Sequence, residues 1–553
     1  MSPHSRRAFL KHTTQLTAAG MVVSSLPNSL WAHAGSPYNT ESGVAIKRRC
    51  DAVPPIQDPN VKALALRALD AAKSAGAQYA DVRLVHSRMR VFFAGVDDYE
   101  FLNVGVRALV NGYWGFASNP LWDPDEVVLL ARAAAMQASS NAKGKKREVI
   151  LSVTPPIVDQ HWTMPVTTDP FLVHPDEIID YIRALEMYTT RRAAAAGMDI
   201  GSGGIRSVEH FTRQDKAFAS TEGTYCTQRC YRTNGSFDVP LKDVAKRREG
   251  AYSLTSLTPA GLGWEFYRDR PIRDDIDQLI AEANEDFRLP LIPIDVGRYD
   301  CVMDAWSAAH LTSATVGLAT ELDRALGYEA NAGGTSYLND PSTMLGTYTI
   351  GSPLLTVTGN RTDVGGAGTI RWDDEGVSPI PFPIVTKGVL SNYSTTREGA
   401  GWLKEATQAR GCAVGGEDLY GGMHVPLGRT PNLVMTPGAE ALDFGGAVAA
   451  LDKGIAWTQM QFDMDFQQNG GLGTGKAYQI QKGKRTALLP GSGIMFQAAE
   501  LWKSLSRIGG NDGVVRYGMS VSKGEPPQLA YHSVDAIPLS FKDISVVDVR
   551  RRA

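Results

Sequence analysis

Beyond Leu289-Pro-Leu-Ile-Pro-Ile-Asp295 the chain is cut into short strand-like runs by clusters of Gly, Asp and Pro, and this punctuation restricts its fold more than any other feature. Asp363-Val-Gly-Gly-Ala-Gly368, Asp373-Asp-Glu-Gly376, Lys387-Gly388 and Lys482-Gly483 each supply the backbone freedom that a turn needs. One helix, predicted over residues 305–326, interrupts the pattern. Glycine makes up 55 of 553 residues, which suits turn-rich β structure better than a helical bundle.

The part before this boundary is built differently. Val61, Leu64, Ala65, Ala68 and Leu69 recur at helical spacing within residues 60–75, and Gly76 stands where a C-cap would. Strand-like segments follow at 79–85, 91–94 and 104–109, and Asn111-Gly112 predicts a hairpin turn. Further helices are predicted from Asp123-Pro124 to residue 138, over 175–197 and over 274–287. The fold class is therefore α+β with two domains. Residues 60–288 form an N-terminal mixed α/β-type domain, and residues 295–553 form a β-rich C-terminal domain carrying one central helix.

Ser5-Arg6-Arg7-Ala8-Phe9-Leu10-Lys11, an uncharged and weakly apolar stretch at 16–26, and Ala32-His33-Ala34 together form a Tat-type export signal. Removal near Ala34 is expected, leaving 35–59 as a polar linker and a periplasmic or secreted product. The apolar stretch falls short of the roughly 20 residues that span a bilayer, and no later stretch reaches that length, so no transmembrane anchor is expected. Lys plus Arg number 56 against 59 Asp plus Glu, a net charge of −3, so no nucleic-acid partner held by bulk positive charge is expected. The cysteines, Cys50, Cys226, Cys230, Cys301 and Cys412, are odd in number and scattered. Cys226 and Cys230 lie about 13 Å apart along one strand, beyond disulfide reach, and read as small hydrophobes on one strand face.

Neither Gly-x-Ser-x-Gly nor Ser-x-x-Lys stands in a nucleophile's setting. The glycine runs at 363–368 and 469–475 read as turns, since the first lacks a phosphate-loop lysine and Ala477 follows Lys476 where a Ser or Thr would hold Mg²⁺. Asp373-Asp-Glu-Gly376 reads as a solvated turn rather than a hard-cation loop. His424 and His532 are isolated in sequence and read as surface or satisfied histidines, and Lys523 as a structural or groove residue.

His310-Leu-Thr-Ser-Ala-Thr-Val-Gly-Leu-Ala-Thr-Glu-Leu-Asp-Arg324 resembles the motif segment of the TldD/PmbA family, the "modulator of DNA gyrase" proteins also classed as metallopeptidases. Gly105-Val-Arg-Ala-Leu-Val-Asn-Gly-Tyr-Trp-Gly-Phe116, Ser220-Thr-Glu-Gly223, Asp373-Asp-Glu-Gly376, Lys387-Gly388-Val-Leu, Arg397-Glu398, Gly411-Cys-Ala and Lys523-Gly-Glu-Pro526 match in the family's order. The resemblance extends over most of residues 60–550. Catalytic members carry His-Glu-x-x-x-His on this helix. Anchored on Gly317 and Glu321-Leu-Asp323, the first His falls on Ser313, the catalytic Glu on Ala314 and the second His on Leu318. The family's third ligand, a cysteine, falls on Val521. A hydroxyl, two aliphatic side chains and a methyl cannot replace nitrogen and sulfur donors and a general base.

The resemblance thus implies a degenerate motif at Ser313, Ala314 and Leu318, with no cofactor expected in this chain. His310 and Glu321 are weak metal candidates, lying about 16 Å apart along an unbroken helix. The implied role is that of a non-catalytic subunit, a pseudoprotease whose partner is a zinc-bearing family paralogue, or a second copy, and whose substrate or ligand is a peptide. Two alternatives stay open: an active metallopeptidase holding zinc through rearranged ligands, and a stand-alone periplasmic module binding peptides along strand edges.

Overall fold

A computed structural model describes residues 53–93, 95–144, 147–403, 408–415 and 423–550. The expected export signal and Cys50 lie outside the described residues.

The N-terminal region is one eight-stranded sheet covered by helices. Its strands are Tyr79–Phe92 (β1), Val96–Val110 (β2), Tyr113–Asn119 (β3) and Val158–Thr163 (β4), then Met198–Ile200 (β5), Arg206–Ser220 (β6), Tyr225–Asp243 (β7) and Arg248–Ser253 (β8). They run in the order β3-β2-β1-β6-β7-β4, with β5 and β8 also on β7. The segments expected separately at 79–85 and 91–94 are one strand, because β1 stays paired with β2 and β6 along its length. Asn111 and Gly112, both at positive φ, turn β2 into β3.

Helices Pro59–Ser74 (α1), Pro124–Asn141 (α2), Pro175–Ala195 (α3) and Ile272–Arg288 (α4) cover the sheet. Asp58 and Asp123 accept backbone N–H bonds at the starts of α1 and α2, where Pro suits the first turn. Strand alternation assigns the two faces. Val82, Leu84, Val104, Val106, Ala217 and Ala219 pack under α1 and α2, while Phe211, Phe237, Val239 and Leu241 join the core beneath α3 and α4. The intervening residues Asp81, Arg83, Arg107, Lys216, Gln228 and Arg232 are also buried, although polar. Their face lies against the C-terminal region: Gln228 donates to the Trp372 carbonyl at 2.7 Å and Arg232 to that of Ala367 at 3.0 Å. Cys226 and Cys230 share this face, buried and unpaired.

The C-terminal region starts with Gly297–Met303 (β9) and Ala305–Thr312 (α5). Then come Val357–Gly359 (β10), Phe382–Thr386 (β11), Val389–Leu390 (β12), helix Arg397–Trp402 (α6), Ala413–Val414 (β13), Leu427–Gly428 (β14) and Leu433–Met435 (β15). The last strands are Lys453–Met464 (β16), Gly470–Gln481 (β17), Lys484–Leu488 (β18), Ser492–Gln497 (β19), Leu505–Ile508 (β20), Val515–Lys523 (β21), Gln528–Ala536 (β22) and Leu539–Asp548 (β23). Strands β16, β9, β23, β19 and β17 pair in that order, and β17 pairs back to β16, closing a ring. A six-stranded sheet, β12-β11-β10-β15-β22-β21, lies beside it. Helix α5 is wedged between β16 of the ring and β21–β22 of the sheet. Leu311, Val316, Leu433, Trp457, Trp502 and Phe541 share the core there. The molecule is α+β, as the sequence implies.

Two local expectations fail. The glycine run ending at Gly475 is strand β17, not a turn. Side chains from neighbouring strands cross it: a Cβ on Gly471 would meet Phe496 at 2.6 Å and one on Gly473 would meet Phe462 at 2.8 Å. The helix expected over 305–326 is regular only to Thr312. A π turn, Ser313–Gly317, and a 3₁₀ turn, Leu318–Thr320, follow, and Glu321 is extended before a last short turn. The cause is competition for carbonyls. Thr312, Thr315 and Thr320 bond back to the carbonyls four residues earlier at 2.6–2.8 Å. Tyr337 and Ser336 donate to the carbonyls of Thr315 and Ala319.

Candidate functional site

The motif segment begins at Asp304, whose carboxylate caps α5 by accepting from the Ser307 amide at 2.8 Å. Between residues 305 and 320 only His310, Ala314 and Leu318 are partly exposed; every other side chain is buried. Spaced by four, they form a single stripe. The two positions at which the family's base and second histidine are expected therefore look outward from an otherwise closed segment, and they carry a methyl and an isobutyl group. Ser313 lies just beside the stripe, 6% exposed.

Ser313 is not free to ligate. Its Oγ and the Nε2 of His532, a β22 residue, share a hydrogen bond of 2.9 Å. Burial, followed by the positive charge of Arg361, pushes the His532 imidazole down to about 3, so it stays neutral at ordinary pH. His310 packs tilted against Trp306, ring centres 4.6 Å apart and planes 39° from parallel, and its Nε2 meets no hydrogen-bond partner. Burial lowers its pKa to about 4.

Glu321 faces elsewhere. Its Oε1 accepts from the Thr430 amide at 2.9 Å and the Thr430 hydroxyl at 3.0 Å. Its Oε2 accepts from Lys523 at 2.9 Å and Arg324 at 3.3 Å. Lys523, fully enclosed, also donates to Asp323 and to the Gly428 carbonyl, both at 2.6 Å. Burial alone would raise the Glu321 pKa, but Lys523, Arg324 and Arg429 outweigh it and hold the group ionised. With four donors in place, among them Arg324 as an ion-pair partner, this carboxylate is a structural anchor and not the metal ligand for which Glu321 is a weak candidate in the sequence.

The structure thus gathers His310, Ser313, Ala314 and Leu318 on one stretch and sends Glu321 into a separate ionic cluster. Among the described residues, no group of three or more His, Cys, Asp or Glu side chains is arranged to hold a metal ion. The zinc that the fold family implies does not fit: Ala314 and Leu318 have no donor, His310 offers one ring nitrogen with no second ligand grouped beside it, the Ser313 hydroxyl is engaged by His532, and the Glu321 carboxylate is saturated. His532 is the partner that sequence alone did not find, since 219 residues separate it from Ser313 and only β22 brings them together.

The Asp373-Asp-Glu turn is buried, contrary to expectation. Asp373 accepts from the amides of Glu375 and Val377 at 2.9 Å and of Ala413 at 3.1 Å. Asp374 sits 3.5 Å from Lys216 and 3.8 Å from Arg83. Glu375 accepts from Arg107 at 3.2 Å and from the Arg397 amide at 2.7 Å, while Arg107 also forks onto Asp81 at 2.6–3.1 Å. Cations on the N-terminal sheet thereby hold a three-acid turn of the C-terminal region.

These features define an α+β protein whose 305–320 segment exposes Ala314 and Leu318 in part and holds Ser313 against His532. Residues 296–531 match the PmbA/TldA metallopeptidase C-terminal domain. A metalloprotease of Methanocaldococcus jannaschii is 24% identical over 406 residues, covering 71% of this chain and 79% of its own length. A protein of Thermotoga maritima described as a modulator of a DNA gyrase shares the fold at a TM-score of 0.65, with 15% identity over 88% of this chain and all of its own. TldE of Thermococcus kodakarensis superposes at 0.63, with 12% identity over 88% of this chain and all of its own. Residues 296–531 thus carry the TldD/PmbA-type C-terminal domain, and the chain shares its fold with these two solved proteins.

Proposed function

We propose that the chain is an exported, non-catalytic member of its family, which handles peptides as the metal-free subunit beside a zinc-bearing paralogue. The observation that carries this reading is the His310–Ala314–Leu318 stripe. Its Ala314 and Leu318, where the resemblance expects the family's base and second histidine, are partly exposed yet carry no donor, only His310 of the three has a ring nitrogen, and Ser313 is held by His532. Aliphatic groups on that face avoid the desolvation cost of unmetallated imidazole and carboxylate. The twin arginines at Arg6 and Arg7 support the export half, because the route they specify carries folded proteins that can already hold a partner. The test is reconstitution. The isolated full chain should not hydrolyse an unstructured peptide, and a co-expressed, co-exported zinc-bearing paralogue should copurify with it and supply the activity. Hydrolysis by the lone chain, or failure to capture any family paralogue, would contradict the reading.

A further inference from the structure

The segment between α2 and β4 has features that the fold does not require. Residues 147–152 run without regular secondary structure between the β2–β3 turn and α6. They are held as an extended peptide would be held. The Val149 amide donates to the Gly112 carbonyl at 2.8 Å and the Ser152 amide to the Arg397 carbonyl at 3.0 Å. Trp402 Nε1 donates to the Glu148 carbonyl at 3.1 Å, and Arg397 Nε to the Ser152 carbonyl at 3.0 Å. Gly401 has no side chain where the Ile150 carbonyl approaches: a Cβ there would stand 1.9 Å from that oxygen. The side chains are scarcely used. Ile150 is 60% exposed and the neighbouring Val153 91%, and none of residues 147–153 belongs to a hydrophobic cluster.

One side chain is the exception. The Arg147 guanidinium lies over the Trp402 ring, 3.9 Å from its centre. Tyr328 packs edge-on against the same ring at 5.6 Å and donates to Glu398, which also accepts from Trp114 Nε1 at 2.9 Å. An indole face backed by a phenol and a carboxylate suits a cation. The Tyr328 amide donates to the Asp323 carbonyl at 2.9 Å, so this cradle adjoins the cluster at the end of the motif segment.

We infer that residues 147–152 are an internal occupant of a peptide site, and that the external ligand is an extended peptide whose arginine or lysine takes the place of Arg147 on Trp402. The inference rests on the peptide-handling reading above, and it assigns that reading a site and a preference. Backbone bonds to Gly112, Arg397 and the Trp402 indole would hold any extended chain, and Trp402 with Glu398 would select the basic side chain.

The probe is a fluorescein-labelled Arg-Glu-Val-Ile-Leu-Ser peptide, with fluorescence anisotropy measured on the full chain and on the full chain with residues 147–152 replaced by six Gly and Ser residues. The replaced chain should bind at least tenfold tighter than the native one. An Ala-for-Arg peptide, or Trp402→Ala in the replaced chain, should cost most of that gain. Equal binding to both chains, or indifference to the arginine, would overturn the inference. Should the replaced chain fail to fold, Arg147→Ala in the otherwise native chain should raise probe binding several-fold, and no rise would overturn it equally. Binding to the isolated chain needs neither zinc nor paralogue, so its failure leaves the subunit reading standing, and loss of the subunit reading leaves this result interpretable.

Discussion

The motif cluster and the domain junction are both buried and ionic, yet they are built on opposite terms. At the motif, Lys523 and Arg324 neutralise Glu321 and Asp323, while two histidines nearby are kept neutral by burial. At the junction Asp374 and Glu375 meet cations supplied by another part of the chain, while Asp373 accepts only from backbone amides, and burial with the Glu375 charge lifts it to about 8. The first cluster is closed within its own region; the second joins two regions. Buried ion pairs contribute little against an apolar alternative but cost heavily when one partner is lost. The motif segment therefore keeps its fold through Lys523, independently of any chemistry on its exposed stripe.

The largest expected effect follows from removing that cation. Lys523→Met leaves Glu321 and Asp323 without it, and urea denaturation should register a loss of about 3–5 kcal/mol. Glu375→Ala at the junction should cost less, about 2 kcal/mol, because Arg107 keeps its fork on Asp81. Hydrogen exchange should then show faster opening of strands β1 and β2 than of α5, sharpening the contrast between the two clusters.

Titration separates them further. His310 and His532 have native pKa values below the ordinary histidine value of about 6.5, so the unfolded chain binds more protons than the native one as pH falls through that value. Their contribution is intact above that pH and is lost as pH drops toward about 4 and then 3. Asp373 acts in the opposite sense. Its native pKa is raised, so its contribution is full below the ordinary carboxylate range and declines as pH rises toward about 8. His532→Gln should flatten the acid limb of stability against pH and Asp373→Asn the alkaline limb; the reverse assignment would break the comparison. The smallest effect is expected from Ser313→Ala, about 1 kcal/mol for one buried hydrogen bond, with metal content unchanged.

What the sequence made legible was local. Helices α1 to α4 follow from apolar spacing and from Asp or Pro at their starts, and the β2–β3 hairpin follows from Asn111-Gly112. That Ser313, Ala314 and Leu318 offer no nitrogen or sulfur donor is a fact of the sequence alone. What escaped was tertiary. The π turn after Thr312 depends on Tyr337 and Ser336 reaching carbonyls from outside the segment. The Ser313–His532 bond depends on strand pairing far along the chain. The buried acid turn reads as a surface loop in isolation. Its only sequence signal lies elsewhere, in Arg83, Arg107 and Lys216 placed at alternate positions of strands otherwise facing a core.

Whether a metal centre can exist on the motif segment is tested most directly by metal analysis of the purified full chain, loaded with zinc and then dialysed. Zinc far below one equivalent per chain, unchanged by Ser313→Ala or His310→Ala, is the predicted result. Close to one equivalent, lost on substituting His310 or His532, would contradict it.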